Sequence, residues 1–206
     1  MKTVELLRTL DRWDESGLWA FDIARLKMLF NESPDTLRTS LMRHAKEGII
    51  LRIARGVYVN PRSRHIPPDP LLQLVSFIRP FEFSYESLES VLSEAGWISQ
   101  IPTCYTLIST GRTAVYYTPY GVLDFTHSST VPSPQELSYS SSKGIYVATP
   151  RRAYEDLRRV NRNLDLVEVP DDEDAGDTGM DYATGAVTDD TISHTISPRE
   201  LPVSTP

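Results

Sequence analysis

Residues 31–48 read NESPDTLRTSLMRHAKEG, and few folds accommodate a stretch bracketed this tightly. Ser33 is a good N-cap, because its hydroxyl can accept from an orphan backbone N–H of the first turn. Pro34 fits the first helical position, where a missing N–H costs nothing. Gly48 supplies the left-handed stop. The spacing therefore predicts a helix over 34–47, entered by a tight turn. Two β-rich runs follow, IILRI and VYV, around Ala54-Arg55-Gly56, which reads as a hairpin. Upstream, Val4, Leu7, Leu10 and Trp13 recur at i, i+3, so TVELLRTLDRW predicts a helix with one apolar face that ends near Gly17. LWAF suits a short strand. Asp22 can cap a second helix through Leu29–Phe30, with Leu26 and Phe30 inward. Helix, short strand, helix, tight turn, helix, hairpin is the order of a winged helix-turn-helix, expected over residues 1–65, with the hairpin as its wing.

Charge sorts the 206 residues into three parts. Residues 1–67 hold 12 basic and 8 acidic side chains, net +4. Residues 68–170 hold 8 and 11, net −3, and residues 171–206 hold 1 and 9, net −8. The chain as a whole is acidic, at −7, yet residues 38–64 carry seven Lys/Arg against the single acid Glu47. On the predicted third helix, Leu37, Leu41, His44 and Ala45 share one side, the core side, where His44 suits a buried position. Thr36, Thr39, Arg43 and Lys46 share the other, with Arg38 on the flank. Thr and Arg suit base edges, and Arg52, Arg55, Arg62 and Arg64 of the hairpin region suit phosphates. The bland alternative is a solvated helix face, but the basic concentration favours nucleic-acid contact.

RHIPPDP, residues 64–70, holds three prolines and reads as a stiff linker. Beyond it, residues 69–170 read as a mixed α/β domain. DPLLQLVSFIRP suits a short helix. SYESLESVLSEAG suits a helix capped by Ser84, with Leu88, Val91, Leu92 and Ala95 on one face. CYTLIST, TAVYYTP, VLDFTHS and GIYVATP suit strands, and SYSSSKG suits a loop. PRRAYEDLRRVNRN predicts a last helix, with LDLVEV as a possible closing strand. Residues 171–206 are rich in Asp, Thr, Ser, Gly and Pro with no Phe or Trp, and are expected to form a disordered acidic tail. The expected class is α+β.

No G-x-S-x-G, H-E-x-x-H or P-loop occurs. Asp124 and His127 are three apart in a β-rich run, which puts them on opposite faces. The sequence gives no catalytic constellation, and a non-enzyme is expected. Four scattered histidines and no C-x-x-C give no zinc pattern, so no metal or cofactor is expected. One cysteine, Cys104, no apolar run near the roughly 18 residues of a membrane span, and an N-terminus with early acids fit a cytoplasmic protein with no membrane partner.

Arg55-Gly56-Val57-Tyr58 in the wing, Ser84 through Leu88, and Ala148 through Ala153 fall in an order that resembles the AbiE-type antitoxin family of type IV toxin–antitoxin systems, over about residues 1–169. The acidic tail has no counterpart in that pattern. The resemblance implies a winged helix-turn-helix that binds inverted repeats in double-stranded promoter DNA and represses its own operon. It further implies a C-terminal antitoxin domain that neutralises a cognate nucleotidyltransferase-like toxin, functionally or by direct binding. On that reading, the helix with Arg151, Arg152, Arg158, Arg159 and Arg162 is the expected neutralising surface, being the positive cluster of an otherwise acidic domain. Glu155 and Asp156 at helical spacing offer the alternative of a merely solvated face. A second functional class is a stand-alone transcriptional regulator whose second domain senses a ligand, with Tyr116, Tyr117, Tyr120 and Phe125 either lining a pocket or simply packing between strands.

Overall fold

The computed structural model describes residues 1–170, which fold as α+β. The acidic tail expected over 171–206 lies outside the described residues. The first elements are α1 (Thr3–Glu15), β1 (Ala20–Asp22), α2 (Ile23–Leu29), α3 (Pro34–Lys46), β2 (Leu51–Ala54) and β3 (Val57–Val59). The strands form an antiparallel sheet in the order β1-β3-β2. Local chemistry sets the ends as expected. Asp22 accepts from the backbone N–H of Arg25, Ser33 accepts from that of Thr36, and Pro34 opens α3. Leu6, Leu10, Phe21, Leu26, Leu37, Leu41, Ile50 and Tyr58 close one core. The buried stripe of α1 is Leu6 and Leu10, not the expected Val4 and Leu7. Val4 is exposed, and Leu7 and Trp13 are half-buried.

Gly48 turns the chain out of α3 at φ +73°, with its N–H on the Ala45 carbonyl. A Cβ there meets nothing within 4 Å. Gly48→Ala is therefore expected to cost only the left-handed backbone penalty, about 1–2 kcal/mol, read as a lower urea midpoint. Gly48→Asn is expected to recover part of it, since asparagine tolerates that region.

The later elements begin with a 3-10 turn, Leu72–Leu74, running into α4 (Val75–Ile78). Then come β4 (Ser84–Glu86), α5 (Glu89–Glu94), β5 (Tyr105–Ser109), β6 (Ala114–Thr118), β7 (Gly121–His127), β8 (Leu137–Ser140), β9 (Ile145–Ala148) and α6 (Pro150–Val160). Six strands form one mixed sheet, ordered β6-β7-β5-β4-β9-β8, in which β4 runs parallel to β9 and β5 parallel to β7. Alternation along β5 sends Ile108 to a core with α5 and α6, and Leu107 to a core with Leu72, Val75 and Phe125.

Three expectations are corrected here. Ser84 is not a cap but a strand residue, and its hydroxyl donates to Ser109 Oγ at 2.9 Å. The chain turns from β4 into α5 only at Leu88, whose φ of +61° is uncommon for leucine. Its side chain is fully buried, which holds the strained turn in place. Part of the expected loop SYSSSKG is strand β8. LDLVEV forms a 3-10 turn, Leu164–Leu166, rather than a strand.

Residues 1–169 form one compact unit. A further cluster joins Ala20, Ile53, Val57 and Val59 of the small sheet to Leu74, with Ile66, Phe77 and Tyr120 packed against it. The proline-rich stretch 64–70 thus runs beside a core shared by both halves, in addition to the core that each half builds for itself.

Candidate nucleic-acid interface

Helix α3 has two chemically distinct sides. Leu37, Leu41 and His44 are fully buried, as expected of His44 from its place on the apolar side. Thr36, Arg38, Thr39, Arg43 and Lys46 are all exposed. Thr39 Oγ1 donates to the Asp35 carbonyl at 2.9 Å, which leaves its methyl free for apolar contact. Arg43 Nη2 donates to the Met1 carbonyl at 3.3 Å, while its Nε lies 4.0 Å from Glu47.

The hairpin brings a second basic group to this side. Arg52 sits opposite Tyr58 in the β2–β3 register. Burial pushes the Tyr58 phenol up, and the cations of Arg52 and Arg38 both pull it back. One ring therefore lies within the field of a hairpin arginine and a helix arginine. Arg55 stands exposed at the tip beside Gly56, whose φ is +81° and whose carbonyl accepts from the Ile23 N–H at 2.8 Å.

Asp14 at the end of α1 organises the segment after the hairpin. It accepts from the Ser63 hydroxyl and the Arg64 N–H and lies 3.2 Å from His65 Nδ1. The Ser63 bond, then the His65 contact, hold its carboxyl below the usual carboxylate range. Arg62 lies 3.8 Å from Asp11, and both Arg62 and Arg64 are exposed. Among the described residues the side chains of Arg38, Lys46, Arg55 and Arg64 make no ion pair, and all nine residues expected to meet DNA face solvent.

The arginines of α6 divide differently. Arg152 is only 3% exposed and is removed from the expected surface. Its Nη2 meets Asp156 Oδ1 at 2.8 Å and its Nη1 meets Glu136 at 3.2 Å. Asp156 also accepts from the hydroxyls of Tyr85 and Ser87, each at 2.9 Å. Arg162, just past the helix, is neutralised by Glu89 at 2.7 Å and Asp124 at 2.8 Å. Arg151, Arg158 and Arg159 remain exposed, with Arg159 near Glu155 and Arg158 over the Tyr154 ring.

No family model matches the chain, and no curated protein matches it.

Neither acid–base candidate assembles. Asp124 is committed to Arg162, and His127 Nδ1 lies 2.9 Å from the Gly111 carbonyl. Of the four aromatics considered for a pocket, Tyr120 lines one. Tyr116 packs edge-on against the buried Phe125, and Tyr117 is exposed. That cavity, about 620 Å³, is lined by Asp69, Glu86, Glu94, Tyr105 and Lys143 among others. Lys143 Nζ bridges Glu86 at 3.0 Å and Glu94 at 2.6 Å, and Tyr105 donates to Asp69. Burial drives the Glu86 carboxyl up, against the pull of Lys143. Sequence reasoning missed these residues, because they come from positions spread over 69–143 and share no spacing signal. Among the described residues no helix is long and apolar enough to cross a membrane.

Proposed function

We propose that residues 1–65 act as a winged helix-turn-helix that sets α3 in the major groove of double-stranded promoter DNA, in a cytoplasmic autorepressor with antitoxin activity. The observation that carries the reading is the exposed side of α3, with Thr36, Arg38, Thr39, Arg43 and Lys46, continued by Arg52 across Tyr58. A continuous basic side on a helix and its adjoining hairpin matches the electrostatic footprint of groove docking. The antitoxin part rests on the motif order Arg55–Tyr58, Ser84–Leu88 and Ala148–Ala153. Neutralisation is assigned to the exposed Arg151, Arg158 and Arg159 side of α6, without Arg152.

Co-expression with an adjacent nucleotidyltransferase-like gene product tests the antitoxin part. The full chain is expected to restore growth, and Arg158→Glu with Arg159→Glu to lose that rescue while DNA binding stays intact. Rescue by a folded, abundant double variant removes the surface from the proposal, and no rescue by the full chain removes the antitoxin reading.

The cavity beside Glu86 favours a second reading, a regulator whose larger sheet senses a small ligand, since concave sites with a few convergent polar groups are the usual ligand sites. Promoter binding that shifts with a metabolite extract, in a chain that rescues no toxin, selects this reading.

A further inference from the structure

The cavity beside Glu86, about 620 Å³, has the size of an ordinary small-ligand site. The charged side chains that line it are Asp69, Glu86, Glu94 and Lys143, three carboxylates against one ammonium. Lys143 is engaged by Glu86 at 3.0 Å and by Glu94 at 2.6 Å. Asp69 accepts from the Tyr105 hydroxyl and from no other group among the described residues. Burial pushes the Glu86 carboxyl up, Lys143 pulls it back, and Glu94 and Asp69 push it further up, so the four groups share one field.

Glu86 is 1% exposed. Its Oε2 accepts from Lys143, and its Oε1 accepts from no group among the described residues. Oε1 is not sealed within the protein as Glu89 Oε2 is, so the trace of surface that Glu86 keeps lies at Oε1 and opens into the cavity that it lines. A carboxylate oxygen placed so deeply, with no donor of its own, calls for one from the cavity side.

Charge selects the donor. A neutral hydroxyl or amide supplies the hydrogen bond but leaves the excess of carboxylates over Lys143 in place. A cationic N–H supplies the bond and reduces the excess together, and a bond between two charged groups is the stronger kind. Among the described residues no group of acids is arranged for a metal ion. Tyr105, Tyr120, Leu71 and Val122 add aromatic and apolar wall to the same space, which suits an apolar body, and a tyrosine ring also favours a nearby cation.

We infer that this cavity binds a small organic cation with an apolar body, its charged N–H donating to Glu86 Oε1. The inference rests on the second reading above, that the cavity holds a ligand, and names the chemical class of that ligand.

Equilibrium dialysis of the full chain against tryptamine, tryptophol and indole-3-acetate at fixed ionic strength tests it. The three share an indole body and end in an ammonium, a neutral hydroxyl and a carboxylate. Tryptamine is expected to saturate a single site. Tryptophol is expected to bind about tenfold more weakly, the worth of a hydrogen bond to a charged group, and indole-3-acetate not at all. Glu86→Gln keeps the shape and an acceptor for Lys143 but turns an amide N–H toward the cavity, and is expected to erase the preference for tryptamine over tryptophol. Glu94→Gln, at an exposed position of the same wall, is expected to weaken tryptamine about threefold, and keeps the test decisive if the first variant fails to fold. Tryptophol or indole-3-acetate bound as tightly as tryptamine overturns the cation and leaves the ligand-sensing reading standing. Tryptamine binding that neither folded variant changes puts the amine elsewhere on this acidic chain and overturns the proposal. Binding of none of the three also overturns it, and the promoter assay with metabolite extract then judges the ligand-sensing reading by itself.

Discussion

Asp156→Ala is expected to lower the unfolding free energy by about 3–5 kcal/mol, the cost of breaking a buried ion pair from one side. Asp156 is 2% exposed and is held at once by Arg152, Tyr85, Ser87 and Arg159. Its removal strands two hydroxyls and leaves the Arg152 guanidinium with Glu136 and the Tyr85 hydroxyl alone. With total stability of order 5–15 kcal/mol, such a loss is a large fraction of the whole. Urea denaturation followed by circular dichroism measures it. A change within about 0.5 kcal/mol, as for an ordinary surface substitution, contradicts the account. Acid acts on the same network. The Ser133 backbone N–H, then its hydroxyl, with Arg152 adding to them, hold the Glu136 carboxyl below its usual value. A depressed carboxylate contributes stability that is complete above the ordinary carboxylate range and lost as pH falls through the lowered folded value.

Arg43→Ala and Arg55→Ala are expected to fail in different ways on DNA. Arg55 is exposed at the hairpin tip, where on the proposed reading its cation would meet phosphate. Its loss should weaken specific and random duplex alike and flatten the salt dependence by about one unit. Arg43 lies on the exposed side of α3, and its loss should cost about 1–3 kcal/mol of discrimination between the operator and random sequence. Fluorescence-anisotropy titrations on both duplexes at several salt concentrations separate the two. Equal loss on both duplexes by both variants sinks the assignment of roles, and binding unchanged by either removes this side of α3 from the interface.

The parts legible from sequence were those whose cause is local. Ser33, Pro34 and Gly48 each act on the backbone within one turn, so α3 could be bounded from its own residues. Asp22 capped α2 for the same reason. Ser84 misled because a serine ahead of an apolar run satisfies the cap pattern, while pairing with β5 and β9, set by distant residues, made it a strand. Arg152 misled in the same way. Its own neighbours describe a basic helix, but Tyr85, 67 positions away, and Glu136 draw it inward. On α1 the helix itself was clear from its periodicity, yet the choice between Leu7 and Leu6 as the inward side depended on where Phe21 and Leu37 would pack. The cavity beside Glu86 gave no signal at all, since its wall is assembled from residues spread over 69–143 that the fold alone brings together.

The shared cluster of Ala20, Val57 and Val59 with Leu74 and Phe77 limits modular inheritance. A chimera that transplants residues 1–65 onto a foreign partner domain carries over the basic hairpin but leaves the underside of its sheet bare. Grafting this hairpin onto another protein therefore needs the crossover to fall beyond Ile78, so that the hairpin travels with Leu74 and Phe77, which pack against it.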